Sequence, residues 1–181
     1  MKALAVVAHP DDETIWMGNQ FKKKYDWTIF SLCRASDKDR YPKFLKVCKH
    51  YNAEAIITDL EDEKLLPLNI GYIMDLIEKN LKNKNYDIIY THGENGEYGH
   101  IRHKEVHNAV KQMIKDGKLK TKKIFYFNYK KRNNDCIAIK NKNYNKLNKN
   151  ELKKKKKKIT ELYGFDVGSF EEKSCGDESF I

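Results

Sequence analysis

Six apolar residues in a row, Ala3-Leu4-Ala5-Val6-Val7-Ala8, run without a polar break into His9-Pro10-Asp11-Asp12-Glu13. A strand with one face in water alternates apolar and polar residues. An unbroken run needs cover on both faces, the condition of a strand inside a parallel sheet sandwiched by helices. The following segments keep to that plan. After the run from Lys2 to Ala8, strands are predicted at Trp27 to Cys33, Ala53 to Thr58, Tyr86 to Thr91 and Ile124 to Phe127. Helices are predicted between them at Glu13 to Lys24, Tyr41 to Asn52, Gly71 to Leu81 and His100 to Lys115. Repeated βα units predict an α/β fold, a mostly parallel, doubly wound, Rossmann-like sheet with helices on both faces.

Beyond Tyr129 the pattern weakens. Cys136 to Ile139 reads as an edge or antiparallel strand, Lys140 to Asn150 as an Asn/Lys-rich loop, and Glu151 to Tyr163 as a helix docking through Leu152, Ile159, Leu162 and Tyr163. The terminal Phe180-Ile181 is read as tucking back onto the body. The expectation is one domain over 1–181, with a core at 1–129 and a C-terminal extension at 130–181. Its length suffices for a substantial core.

Charge narrows the function classes. The net charge is +10, from 36 Lys+Arg against 26 Asp+Glu, yet only Arg34, Arg40, Arg102 and Arg132 are arginine. Arginine is favoured for bidentate phosphate and base-edge recognition. A lysine excess, including the run Lys153 to Lys158, reads first as a solvated surface and second as a weak attraction to anionic membranes. No specific nucleic-acid partner is expected; a basic nucleic-acid-binding module is the low-ranked rival. No apolar stretch approaches a membrane span, and the N-terminal run lacks signal-peptide features. Cys33, Cys48, Cys136 and Cys175 form no Cys-x-x-Cys pair and fit free thiols in a reducing compartment. A cytoplasmic location is expected, and a homo-oligomer is compatible with the sequence.

Three ionisable groups within four residues, His9, Asp11 and Asp12, call for a cation. Ligands of doubly wound sheets bind beyond the carboxyl ends of the strands. The first cluster follows strand one and a second, His100-Ile101-Arg102-His103, follows strand four, so both reach the same sheet edge. A catalytic zinc takes three protein ligands and keeps one open position. His9 and Asp12 can supply two ligands and His103 the third, with His100 aimed at substrate and Asp11 as general base. The same set accepts Fe²⁺, Co²⁺ or Mn²⁺.

Ala8-His9-Pro10-Asp11-Asp12-Glu13 and Gly96-Glu97-Tyr98-Gly99-His100-Ile101-Arg102-His103, in that order, resemble the PIG-L/LmbE family of zinc-dependent N-acetylglucosaminyl deacetylases. The resemblance spans roughly residues 1 to 110. It implies one Zn²⁺ per chain held by His9, Asp12 and His103, with Asp11 as general base and a cationic His100 polarising the acetyl carbonyl. It implies release of acetate from an N-acetylated amino-sugar conjugate, a small molecule or a lipid-linked one. A zinc amidase on a larger amide is the alternative. Two departures concern the substrate rather than the metal: Met17-Gly18-Asn19 replaces the family's frequent Gly-Gly, and Arg34-Ala35-Ser36-Asp37 lacks the glycines often found there.

Blander roles are assigned to neighbouring residues. Glu13 is read as capping the first helix. His107 is read as supporting or helix-facing, and His92 as structural more often than pocket-lining. His50 is read as exposed, and Arg34 as at best an occasional contact to an anionic substrate. Glu97 and Tyr98 are divided evenly between orienting the loop and touching the sugar. Lys104 after His103 rules out the His-Glu-x-x-His metalloprotease pattern, and no Walker A loop or Gly-x-Ser-x-Gly elbow occurs.

Overall fold

The computed structural model of the chain describes residues 1–181. Strand β1 (Lys2–Val7) lies at the centre of a five-stranded parallel sheet. With β2 (Asp26–Ser31), β3 (Ala53–Ile57), β4 (Asn85–Thr91) and β5 (Lys120–Tyr126), the spatial order is β3-β2-β1-β4-β5. The unbroken apolar run has a direct explanation. Ala3, Ala5 and Val7 point into one hydrophobic core and Leu4, Val6 and Ala8 into the other, and all six are fully buried. Helices α3 (Ile70–Asn80) and α5 (Ile101–Lys115) supply Ile73, Ile77, Val106 and Val110 to the second core. The first core is closed by α1 (Asp12–Met17), α2 (Arg40–His50) and the C-terminal segments.

Several boundaries differ from the sequence reading. The helix expected over Glu13 to Lys24 ends at Met17, where Gly18-Asn19, both weak helix formers, break it into a separate 3-10 turn at Gln20–Lys22. Strand β5 begins at Lys120, earlier than the apolar pattern indicates, because it is an edge strand whose exposed Lys120, Lys122 and Lys123 hide its period. Lysines on such an edge discourage strand addition.

The C-terminal third forms a hairpin, β6 (Tyr129–Arg132) and β7 (Asp135–Ala138), then α6 (Lys149–Lys157), a π-helical turn at Lys158–Leu162 and α7 (Phe170–Ser174). The antiparallel strand and the helix from about residue 150 match expectation; α7 was not anticipated. Asn148 and Glu151 start α6 with a reciprocal capping box. Half of the lysine run is ion-paired within the chain: Lys155 is buried against Glu178 at 3.0 Å, Lys156 pairs with Glu172 at 2.6 Å and Lys157 with Glu161 at 3.1 Å. Glu178 also accepts from the Asn19 N–H and the Gln20 side chain, each at 2.7 Å, and Phe180 bridges to Phe127. The tail therefore docks on the body. All four cysteines are free and buried, and no helix is long and apolar enough to cross a membrane.

In this order of strands, β1 is the switch point, with β2 on one side and β4 on the other. The crevice beyond its carboxyl end is where such folds bind ligands.

Candidate active site

Chain geometry at the end of β1 builds the site's first half. Asp11 takes a backbone φ of 118°, a conformation L-residues rarely adopt. It is held there by the buried Glu13 carboxylate, which accepts from the Asp11 N–H at 3.1 Å. The same carboxylate accepts from the hydroxyls of Thr14 at 2.6 Å and Tyr163 at 2.8 Å. Glu13 thus acts at the helix start, as expected, but from full burial, which pushes its pKa up to about 7. The turn sends Asp12 back towards His9. One Asp12 oxygen accepts from the Trp16 indole at 2.8 Å; the other, Oδ2, accepts from the His9 N–H at 2.8 Å and faces the histidines.

The second half comes from the segment after β4. Short helix α4 (Gly96–Gly99) carries Glu97, itself at a φ of 57°, and the Nδ1 atom of His100 caps α5 by accepting from the Arg102 N–H at 3.3 Å. His103, one turn into α5, reaches the crevice fully buried.

His9 Nδ1, Asp12 Oδ2 and His103 Nε2 form a triangle with sides of 3.2, 3.2 and 3.4 Å. Its supports fix which atoms face inward. His103 Nδ1 donates to Glu97 Oε2 at 2.5 Å, and His9 Nε2 donates to Asp62 Oδ1 at 3.0 Å. Neutral rings so held turn two nitrogen lone pairs onto one carboxylate oxygen, an arrangement that repels unless a cation sits among them. Ligands about 2.0–2.1 Å from a tetrahedral zinc stand about 3.3–3.4 Å apart, and the triangle matches. The donor set therefore fits a divalent metal. Burial opposes charge on His9, but Asp12 and Asp62 overcome it and raise its pKa to about 10, so the surroundings favour positive charge at this point.

Three further donor groupings lie nearby: Asp12 with His92 and His103, His9 with His100 and His103, and His9 with Cys33 and Asp62. The first is disfavoured because the His92 Nε2 lone pair already accepts the Ala8 N–H at 2.9 Å, while its Nδ1 donates to Glu97 at 2.8 Å. The structural reading of His92 stands. His107 is buried and donates to the His92 carbonyl at 2.9 Å.

The triangle sits at a cavity of about 350 Å³ whose lining includes Asp11, His100, Trp16, Tyr98, Arg40 and Phe170. Asp11 is bound to Arg40 at 3.2 Å; burial and Asp12 push its carboxyl well above the usual range, against Arg40. The His100 ring lies 4.8 Å from that of His9 and 4.9 Å from that of His103, centroid to centroid. Its charge state differs from expectation. Burial and then the neighbouring His103 lower its pKa to about 4, so it is neutral with Nδ1 accepting and Nε2–H free to donate. Arg34 is not free for an anion, since Asp62 holds it at 2.7 Å.

Sequence reasoning missed Asp62 and undervalued Glu97. Asp62 lies in an acidic loop, Glu61-Asp62-Glu63, with no local sign of importance. Glu97 was divided evenly between orienting the loop and touching the sugar; in the fold it braces His92 and His103, the histidines that flank it. Carboxylates that bind the outer nitrogen of metal-ligating histidines fix both ring and tautomer. Arg102, fully buried, pins the Asp62 loop by donating to Glu61, to the Leu66 carbonyl at 3.0 Å and to Glu105 at 2.6 Å.

The profile of the PIG-L family, described as GlcNAc-PI de-N-acetylase, matches residues 4–114, and the chain belongs to this family. An uncharacterised protein of Acanthamoeba polyphaga mimivirus is 27% identical over 120 residues, covering 57% of this chain and 53% of the viral protein. The chain thus spans about half the length of that curated relative. Among solved structures, a conserved protein of Thermus thermophilus superposes with a TM-score of 0.72 at 11% identity, covering 99% of this chain and 93% of the other. The N,N'-diacetylchitobiose deacetylase of Pyrococcus horikoshii does so with a TM-score of 0.63 at 15% identity, covering 92% and 72%. At these identities the superpositions show a shared fold.

Proposed function

We propose that the chain is a zinc-dependent hydrolase that removes the N-acetyl group from an N-acetylglucosamine-type amino-sugar conjugate, releasing acetate and a free amine. The observation that carries the reading is the triangle of donor atoms from His9, Asp12 and His103, beside a cavity that His9, Asp12, Asp11 and His100 line. Membership of a family described as a de-N-acetylase supports the reaction class.

His9, Asp12 and His103 would hold the ion. When bound, zinc lowers the pKa of water from 15.7 to about 7 and polarises an amide carbonyl. Asp11 takes the proton from the attacking water. Its raised affinity for that proton lets it hold the proton and then pass it to the departing nitrogen as the amide C–N bond breaks. Such acid–base work contributes about 10²–10⁴ in rate. His100, neutral, donates its Nε2–H to the amide oxygen as charge grows there, a donor worth about 10²–10³. Glu97, Asp62 and Trp16 keep the three ligand side chains from turning away.

The test is metal content by elemental mass spectrometry together with acetate release from N-acetyl amino sugars. One zinc per chain, lost in His9→Ala and His103→Ala, is expected. Asp11→Asn keeps its zinc and loses at least about 10²-fold in turnover. No metal in folded protein after zinc addition, or unchanged turnover in Asp11→Asn, refutes the reading.

A further inference from the structure

The chain is strongly basic, yet its cavity is acidic. Subtracting four arginines from 36 basic residues leaves 32 lysines, and none of them lines the cavity. Five carboxylates do: Asp11, Asp12, Asp37, Asp62 and Glu171. Each of the two guanidiniums present already faces a carboxylate. Arg34 is held by Asp62 at 2.7 Å and lies 3.9 Å from Asp37; Arg40 pairs with Asp11 at 3.2 Å and stacks over Phe165 at 4.1 Å. Asp12 faces the histidines. Glu171 alone is engaged only through its backbone, whose carbonyl accepts from the Cys175 N–H. It is half-buried on α7, beside Phe170, which meets Tyr98 edge to face at 5.0 Å; all three line the cavity. The aromatic pair offers an apolar surface for a sugar ring, and Glu171 stands next to it.

We propose that Glu171 makes the site selective for neutral or cationic amino-sugar glycosides and against those bearing phosphate or sulfate, an inference that rests on the deacetylase reading. The free carboxylate accepts hydroxyl or ammonium hydrogen bonds from the sugar or its aglycone. Each cation of the lining already faces a carboxylate, so a phosphate meets no unopposed positive charge there. Five carboxylates against two arginines and a divalent ion at the triangle would leave one negative charge in the lining, and Glu171 is the carboxylate with no cation partner. An unscreened anion beside a half-buried carboxylate loses about tenfold in affinity per unit charge. The residue lies outside positions 4–114, so selection comes from the C-terminal segment and not from the stretch that carries the family match.

The experiment is calorimetric binding of the zinc-loaded protein to three probes: methyl N-acetylglucosaminide, methyl glucosaminide and N-acetylglucosamine 6-sulfate, whose sulfate is a poor metal ligand. Wild type is expected to bind the sulfate at least about tenfold more weakly than the neutral glycoside, and the cationic glycoside at least as well as the neutral one. Glu171→Gln narrows the sulfate-to-neutral Kd ratio towards one, and Glu171→Lys inverts it. A neutral glycoside that binds while the sulfate binds equally well overturns the inference and leaves the deacetylase reading intact. So does a ratio that neither substitution moves. Absence of binding by all three probes overturns both.

Discussion

Glu97→Gln changes one atom in the buried interior and is predicted to cost the site most of its hold on zinc. Three donors converge on this carboxylate: Gly93 N–H at 2.7 Å, His92 Nδ1–H at 2.8 Å and His103 Nδ1–H at 2.5 Å. Burial raises its pKa, but the two histidines outweigh that and bring it down to about 2. A glutamine offers one acceptor oxygen and presents an NH₂ group in place of the other. At least one donor then meets a donor, and the relief open to His103 is to move its proton from Nδ1 to Nε2, the atom that faces the ion. Losing a hydrogen bond to a buried charged group costs about 1.5–3 kcal/mol. Removing a carboxylate behind a ligating histidine weakens metal binding about 10–100-fold. At about 1.4 kcal/mol per decade these two magnitudes agree. The assay is a zinc titration against a chromophoric chelator, with circular dichroism to verify the fold and the visible spectrum of the cobalt-substituted protein to report ligand geometry. A folded Glu97→Gln protein with zinc affinity within twofold of wild type and an unchanged cobalt spectrum refutes the reasoning.

The same carboxylate makes the metal-free protein acid-labile. Its folded pKa lies below the ordinary value of 4.5, so its stabilisation is present above about pH 4.5 and is lost as pH falls towards about 2. Urea unfolding should show wild type ahead of Glu97→Gln by up to about 3 kcal/mol at pH 6, with the gap roughly halved at pH 3 and closing only near pH 2; a gap independent of pH contradicts this. Arg102→Met leaves the Glu105 carboxylate without its buried partner and releases the Asp62 loop. It should cost about 3–5 kcal/mol in urea unfolding and lower zinc affinity as well, and a loss below about 1 kcal/mol tells against the clamp.

How much of this was legible in the sequence depended on the distance over which each feature is decided. The order of strands and helices and the meeting of two motifs at one sheet edge were readable, because apolar runs and helical spacing are local signals. The supports of the triangle were not. Asp62 reaches His9 across 53 residues, and nothing in Glu61-Asp62-Glu63 marks the middle acid. Arg102 was read only as a member of the His100-Ile101-Arg102-His103 motif, yet it is fully buried and satisfies acceptors up to 41 residues away. The neutral state of His100 follows from its role as a helix cap and from the crowd of imidazoles around it, which only the folded chain assembles. The acidic character of the cavity ran against a composition dominated by lysine, since averages over a chain do not describe the few residues that face a crevice.

The pinned tail has a consequence for the timing of biosynthesis. Every ligand of the triangle is encoded between residues 9 and 103, whereas Tyr163, which braces Glu13, and Glu178, which anchors Asn19, lie 150 and 159 residues from their partners. At about 5–20 residues per second, ribosomes add Glu171 roughly 3–14 s after His103. A nascent chain therefore carries all three proposed ligands before the proposed selective wall is made. Contacts that join the two ends of a chain are the slowest to form, so capture of the ion can precede the acquisition of selectivity each time the protein is made.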